Sequence, residues 1–129
     1  ELCDWLTGGR LRPVVVIHVN HARELDGAVR GALLRLGARG IPLLNQSVLL
    51  HGVNDRVVDL VDLSEALFEA GVLPYYLHAL DPVQGAAHFA VPDGAARRLH
   101  EALSARLPGY LVPRLVREVP GAPAKLPLT

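Results

Sequence analysis

Short β-branched runs alternate along this chain with segments of helical period. Residues 12–19 (R-P-V-V-V-I-H-V) read as a buried strand, with Pro13 tolerated at its start. Asn20 follows in helix-cap position. Leu25, Val29, Leu33 and Leu36 then recur at helical spacing until Gly37 and Gly40 supply a stop. Residues 41–50 form the next extended stretch. Asn54 and Asp55 are placed to cap a second helix with the apolar stripe Val57, Leu60, Val61, Leu67 and Phe68, closed by Gly71. Residues 73–80 (L-P-Y-Y-L-H-A-L) make a third strand. Pro92 and Asp93 open a third helix with Ala96, Leu99, Leu103 and Leu107 on one side, and residues 110–119 complete the series as a fourth strand. Strand–helix units repeated in this way predict an α/β fold with a parallel sheet and helices outside it, either a barrel or a doubly wound layer.

Polar residues gather just after the strands: His18, Asn20 and His21; Asn45 and Gln46; His78 and Asp81; Glu118 and Lys125. The returns from helix to strand are plain Gly/Pro turns. In a (β/α) barrel the active site is assembled at the C-terminal ends of the strands, so this asymmetry favours an enzyme over a scaffold. Asn and Asp after strands are also ordinary helix caps, which limits the weight of any one of them.

Composition narrows the class. The 129 residues suit one compact unit or a piece of a larger one, and half of them are hydrophobic, enough for a core. The formal net charge of zero gives no support to a nucleic-acid surface. No apolar run approaches the ~20 residues of a membrane helix, and no signal peptide is visible. The single cysteine, Cys3, fits a reducing, cytoplasmic setting and excludes any cluster held by several cysteines of this chain. The sequence starts at Glu1 and contains no methionine, which reads as a fragment.

Lys125 is the single lysine beside twelve arginines. Lysine, unlike arginine, can lose its proton and attack an aldehyde. Its place in a Gly/Pro turn after an extended run suits a pocket, although an exposed lysine in a fraying tail explains the position equally well. Asp81 and Glu118 end consecutive strands, where two carboxylates can grip a cation or do acid–base work. Each could instead pair with an arginine such as Arg114 or Arg117. His18 lies on an apolar strand, His21 begins a helix, and H-V-N-H lacks the spacing of helical zinc sites. No P-loop, dinucleotide fingerprint or G-x-S-x-G elbow is present.

Four blocks resemble the lysine 2,3-aminomutase family: H-V-N-H at 18–21, N-Q-S-V-L-L-H-G-V-N-D at 45–55, L-P-Y-Y-L-H-A-L-D-P-V-Q-G-A-A-H-F at 73–89 and G-Y-L-V-P-R-L-V-R-E-V-P-G-A-P-A-K at 109–125. These are radical S-adenosylmethionine (SAM) enzymes that also use pyridoxal phosphate (PLP). The resemblance runs through nearly the whole chain, in order. G-A-A-H-F and P-R-L-V-R-E-V-P-G are similar to the branch that makes β-lysine for modifying translation elongation factor P.

The resemblance implies the C-terminal part of a radical SAM partial (β/α) barrel with parallel strands, a single domain portion over 1–129 that ends in the PLP-lysine segment 109–125. It implies that Lys125 holds PLP, that Asp81 binds the side-chain ammonium of substrate L-lysine, and that Glu118 stands where free-lysine enzymes have a second aspartate. It further implies that His18 and Gln46 line the SAM/PLP pocket. The implied reaction is conversion of L-α-lysine to β-lysine. A PLP-linked nitrogen can delocalise a radical during the 1,2-shift, and SAM cleaved at a reduced 4Fe-4S cluster starts it, while the protein supplies position and electrostatics.

One departure stands out. The family's C-x-x-x-C-x-x-C cluster motif does not occur, and Cys3 matches none of its cysteines. The cluster-binding part is therefore expected upstream, with the 129 residues inactive alone. An aminomutase acting on free lysine or another amino acid is an alternative, although Asp81 and Glu118 argue against an acidic substrate such as glutamate. A non-catalytic α/β module that binds a small molecule or a partner is the alternative of another class. Oligomeric state is left open, a homo-oligomer included, and an open sheet edge with poor solubility is expected.

Overall fold

A computed structural model describes residues 2–80, 87–117 and 124–128. Helix α1 (Leu2–Thr7) is followed by strand β1 (Val15–Ile17), α2 (Gly27–Ala38), β2 (Leu43–Leu49), α3 (Val57–Glu69), β3 (Leu73–Ala79), α4 (Asp93–Arg106), β4 (Arg114–Arg117) and β5 (Leu126–Pro127). The strands form one sheet in the order β1-β2-β3-β4-β5. The first four run parallel, and β5 returns antiparallel against β4 with Val116 opposite Pro127 and Arg117 opposite Leu126. The α/β class and the parallel sheet are as the strand–helix alternation predicts.

Helices α2, α3 and α4 cover one face of this sheet. Leu33, Leu63 and Leu67 pack with Leu43 in one cluster, and Leu60, Ala96 and Leu103 pack with Leu49, Leu77 and Leu115 in another. In β2 this shows as strict alternation, with Leu43, Asn45, Ser47 and Leu49 buried and Leu44, Gln46 and Val48 half-exposed. A period of two along a strand sends alternate side chains to opposite faces, so this alternation of burial reports one covered face and one open face.

Two helices end by the same device. After α2 the amide of Gly40 bonds to the carbonyl of Gly37 and Ile41 to Leu36; after α3 Gly71 bonds to Phe68 and Val72 to Leu67. Gly40 and Gly71 sit at φ of +79° and +80°, the left-handed conformation that this terminus needs. The residue after each glycine then enters the next strand region with its side chain in the core, which is why the helix-to-strand returns are so short.

Several local expectations are corrected. The strand expected over 12–19 contracts to Val15–Ile17, and the one expected over 110–119 starts only at Arg114, after a tight turn at Gly109–Leu111, with its last two residues outside the described ones. Asn20 does not cap α2; Asp26 does, accepting from the amide of Val29 at 2.9 Å. Helix α3 starts after Arg56 without a side-chain cap, and Asn54 is instead fully buried at the end of β2. Among the described residues β1 stands at one edge of the sheet, where an open edge is expected, and β5 pairs with the far side of β4.

Candidate functional site

The C-terminal end of β1 is held to β2 by asparagine side chains where the backbone ladder stops. Asn45 accepts from the amide of Val19 at 2.9 Å and donates to its carbonyl at 3.0 Å. Asn20 accepts from the amide of Val48, also at 2.9 Å. Asn54 donates to the carbonyls of Asn20 and Val48, and it accepts from the amide of Leu50 at 2.8 Å. Buried backbone groups at a strand end need such partners, and an amide side chain supplies a donor and an acceptor together. With Val19 clamped into the core, His18 beside it faces the opposite way and is exposed.

Asp59 anchors the same loop from α3. Arg56 donates to it through Nε at 3.1 Å and Nη2 at 3.0 Å, and His21 Nε2 lies 3.8 Å away. The Arg56 hydrogen bond, ahead of opposing desolvation, holds the Asp59 carboxyl below its usual range. His21, expected to be solvated, is half-buried here and accepts from the amide of Arg23.

The open face of the sheet carries the candidate chemistry. Register places Val16 beside Leu44, Gln46 beside Tyr76, Val48 beside His78, and Tyr76 beside Arg114. The β2–β3 pairing slips at Tyr75, so that Asn45 faces Pro74 but Gln46 faces Tyr76. A bulge of this kind breaks the alternation, and it brings the rings of Tyr75 and Tyr76 to 4.1 Å. The His78 ring meets Tyr76 edge-on at 5.8 Å.

Lys125 reaches this row from the other side of β4. It stands two residues before Pro127, which opposes Val116, so its side chain falls on the open face. Its Nζ lies over the Tyr76 ring, 5.2 Å from the centroid, and the Arg114 guanidinium lies 5.9 Å from the same centroid. The Tyr75 phenol is raised above its ordinary range, chiefly by its side-chain hydrogen bond with Tyr76, while Arg114 and Lys125 act in the opposite direction.

Of the residues singled out from the sequence, His18, Gln46 and Lys125 thus share one face. Asp81 and Glu118 lie outside the described residues. Tyr75, Tyr76 and Arg114 were not among the expected site residues; the paired tyrosines in L-P-Y-Y-L were the visible signal. Of the arginines considered as partners for the two acids, Arg117 grips Asp93 with both Nη atoms, at 3.1 and 2.6 Å, and Arg114 faces Tyr76. Cys3 is buried in α1, and His88 is exposed against Phe89. Among the described residues no group of three His, Cys, Asp or Glu side chains gathers as a metal site, and no helix is long and apolar enough to cross a membrane.

Two grooves lie beside and beyond this row. One of about 430 Å³ runs between α4 and the β4–β5 edge, lined by His100, Arg114 and Pro127 among others. The other, about 540 Å³, is apolar and sits at the opposite end of the sheet below Gly40 and Gly71.

No family model matches the chain. Over 127 residues, 98% of its length, it is 54% identical to the L-lysine 2,3-aminomutase of Escherichia coli (strain K12), of which it spans 37%. It is 49% identical over 125 residues, 97% of its length, to the L-lysine 2,3-aminomutase of Haemophilus influenzae, again spanning 37% of that protein. The enzyme of the same name from Clostridium subterminale is 38% identical over 86% of this chain and is spanned to 27%. Among solved structures, a radical SAM methyltransferase from Sphaerobacter thermophilus superposes with a TM-score of 0.66 at 18% identity, over 90% of this chain and 37% of that one. The chain thus shares its fold with part of that methyltransferase, and it spans about 37% of the length of the Escherichia coli and Haemophilus influenzae relatives.

Proposed function

We infer that this chain, homologous to L-lysine 2,3-aminomutases along nearly its whole length, is the substrate- and PLP-binding part of such an enzyme, the C-terminal portion of one radical SAM barrel. The observation that carries this reading is the 54% identity maintained across 98% of the chain. The row of Gln46, Tyr76, His78 and Lys125 on the uncovered sheet face is consistent with it, since a barrel turns that face toward its interior.

PLP fits the residues present. An aldehyde cofactor requires a primary amine on an accessible face, and Lys125 offers the chain's single lysine amine there, half-buried beside an aromatic ring. A 4Fe-4S cluster does not fit, because the sole cysteine is buried in α1; its ligands and most SAM contacts would come from residues outside this chain. When bound, PLP supplies the conjugated carbonyl chemistry through which the α-amino nitrogen can shift to the β-carbon.

The chain's own residues do the positioning. Asp81 and Glu118 bind the side-chain ammonium of L-lysine, fixing the end of the substrate remote from the reacting carbons. A longer side chain at Glu118 than the aspartate of free-lysine enzymes adjusts where that ammonium rests. His18 and Gln46 line the pocket shared by SAM and PLP, and the asparagine clamp at Val19 sets the place of His18. The β-lysine formed would serve modification of elongation factor P in the cytoplasm.

The test uses the full-length protein with its cluster reconstituted, supplied with SAM, a reductant, PLP and L-lysine. Formation of β-lysine, together with a pyridoxyl label on Lys125 after borohydride reduction, supports the reading. Unchanged L-lysine under conditions that cleave SAM refutes the activity, and a label on another residue refutes the anchor.

A further inference from the structure

We propose that Tyr76 is a positioning residue for Lys125, its ring face being the resting place of the lysine ammonium whenever that nitrogen is not bonded to the cofactor. This rests on the reading of Lys125 as the PLP anchor and adds a residue to it.

The ring is built to stay in place. The slip in β2–β3 pairing at Tyr75 sets Tyr76 in register with both Gln46 and Arg114. The Tyr75 ring packs against it at 4.1 Å and the His78 ring at 5.8 Å. A bulge conformation stabilised on two neighbouring strands fixes a side-chain direction better than a loop would. Over this ring lies the Lys125 Nζ, 5.2 Å from the centroid, within the range at which an ammonium is drawn to the negative face of an aromatic ring.

The chemistry of the anchor creates a need for such a place. With PLP bound, exchange of a substrate ammonium for Lys125 would free the lysine nitrogen in the same step, and the three hydrogens of the incoming ammonium would leave with Lys125 as an ammonium. On a flexible four-carbon stem that cation would sample many positions in solvent. Held on the Tyr76 face it stays close to the carbon it must recapture at the end of turnover, a gain in effective concentration without a further bond. The ring, not the phenol oxygen, supplies this attraction, so phenylalanine should replace tyrosine at 76 and leucine should not.

The experiment uses the full-length protein freed of PLP and reductively methylated with ¹³C-formaldehyde, the Lys125 signal being assigned with Lys125→Arg. In the parent protein and in Tyr76→Phe this signal should be displaced upfield by the ring current; in Tyr76→Leu the displacement should vanish. On adding PLP to unmethylated protein, stopped-flow absorbance should show capture slowed roughly 2- to 30-fold in Tyr76→Leu and nearly unchanged in Tyr76→Phe. Capture at the parent rate in a folded Tyr76→Leu protein overturns the proposal alone, provided that borohydride labels Lys125. A borohydride label on a residue other than Lys125 overturns the anchor and the proposal together. Should Tyr76→Leu fail to fold, absence of the ring-current displacement in the parent protein overturns the proposal by itself.

Discussion

Asn45 holds Val19 by both of its backbone groups, accepting from the amide at 2.9 Å and donating to the carbonyl at 3.0 Å. Side chain and backbone here continue the β1–β2 contact two residues past Ile17, the end of β1, through a single buried amide. The exposed face of the next residue back, His18, depends on it.

Asn45→Val should therefore cost about 2–4 kcal/mol, because a similar-sized apolar group leaves the amide and carbonyl of Val19 without their partners in a buried setting. Asn45→Asp should cost a similar amount, since a carboxylate would meet the Val19 carbonyl with no donor. The midpoint of denaturant unfolding of the full-length protein measures both. A loss below about 0.5 kcal/mol in either would show that water replaces the clamp.

The glycines predict opposite signs. Gly71→Ala should destabilise by about 1–2 kcal/mol, the cost of a left-handed non-glycine residue, because its φ is +80° although a Cβ there meets nothing within 4 Å. Gly31→Ala, inside α2, should stabilise by about 0.5–1 kcal/mol, as its Cβ would meet only Arg35 Nη1 at 3.5 Å, an ordinary contact. Thermal melts of the two variants check the difference in sign.

Asp93 carries a pH dependence. The Arg117 guanidinium, first by hydrogen bonding and then by charge, holds its carboxyl below the usual 3.8. A value depressed by folding stabilises the fold above the unfolded value, and that contribution is lost as pH falls through the folded one. Because the Asp93 side chain is 40% exposed, the pair contributes about 1 kcal/mol or less. Asp93→Asn should thus be less stable than the parent at neutral pH and converge with it in acid below the folded value, as read from urea unfolding at a series of pH values.

How much of this was legible beforehand follows from the kind of signal each feature leaves. The four parallel strands and the helices α2, α3 and α4 were legible because short apolar runs such as 14–17 and 73–80 mark strands, and Leu60 and Leu67 in α3, like Leu99 and Leu103 in α4, fall at helical spacing on the packed side. The functions of Asn20 and Asn54 were not, because an asparagine after a strand can cap a helix or clamp a strand end with equal local chemistry. Tyr75 and Tyr76 were missed for a different reason. Strict alternation sends neighbours to opposite faces, and only the pairing slip against β2 brings the two rings together. Strand β5 is two residues long and contains Pro127, too little pattern to mark a strand. Lys125 was legible by rarity and by resemblance, while its seat on Tyr76 depends on that short antiparallel return.

Lys125→Arg separates charge from nucleophilicity at the proposed anchor. Arginine retains a cation able to sit on the Tyr76 ring, so the fold should keep its stability within about 0.5 kcal/mol. Its guanidinium remains protonated and cannot condense with an aldehyde. Borohydride should then leave no pyridoxyl group on the 124–128 peptide, and β-lysine formation should fall to background. A pyridoxyl label found on another peptide, with β-lysine still formed, would place the anchor on another residue.

Asp81 and Glu118 test whether the chain selects lysine by its far ammonium. Each carboxylate is proposed to make a charge-assisted hydrogen bond worth about 1.5–3 kcal/mol, so Asp81→Asn and Glu118→Gln should each weaken lysine binding roughly 10- to 150-fold. Norleucine has the same aliphatic length as far as the ε-carbon but no ammonium, so neither variant should weaken its binding. The informative quantity is therefore the ratio of the two affinities, measured by calorimetry on the PLP-loaded full-length protein. A general disturbance of the pocket would lower both affinities together and leave the ratio unchanged. Loss of the carboxylate alone should collapse the ratio toward one, because the parent's preference for lysine comes from pairing a charge that norleucine does not bring. Glu118→Asp should restore most of it, since it keeps the charge and shortens the reach by one methylene. If the ratio survives in both Asp81→Asn and Glu118→Gln, the ammonium is held by other groups and the substrate assignment of these two acids fails.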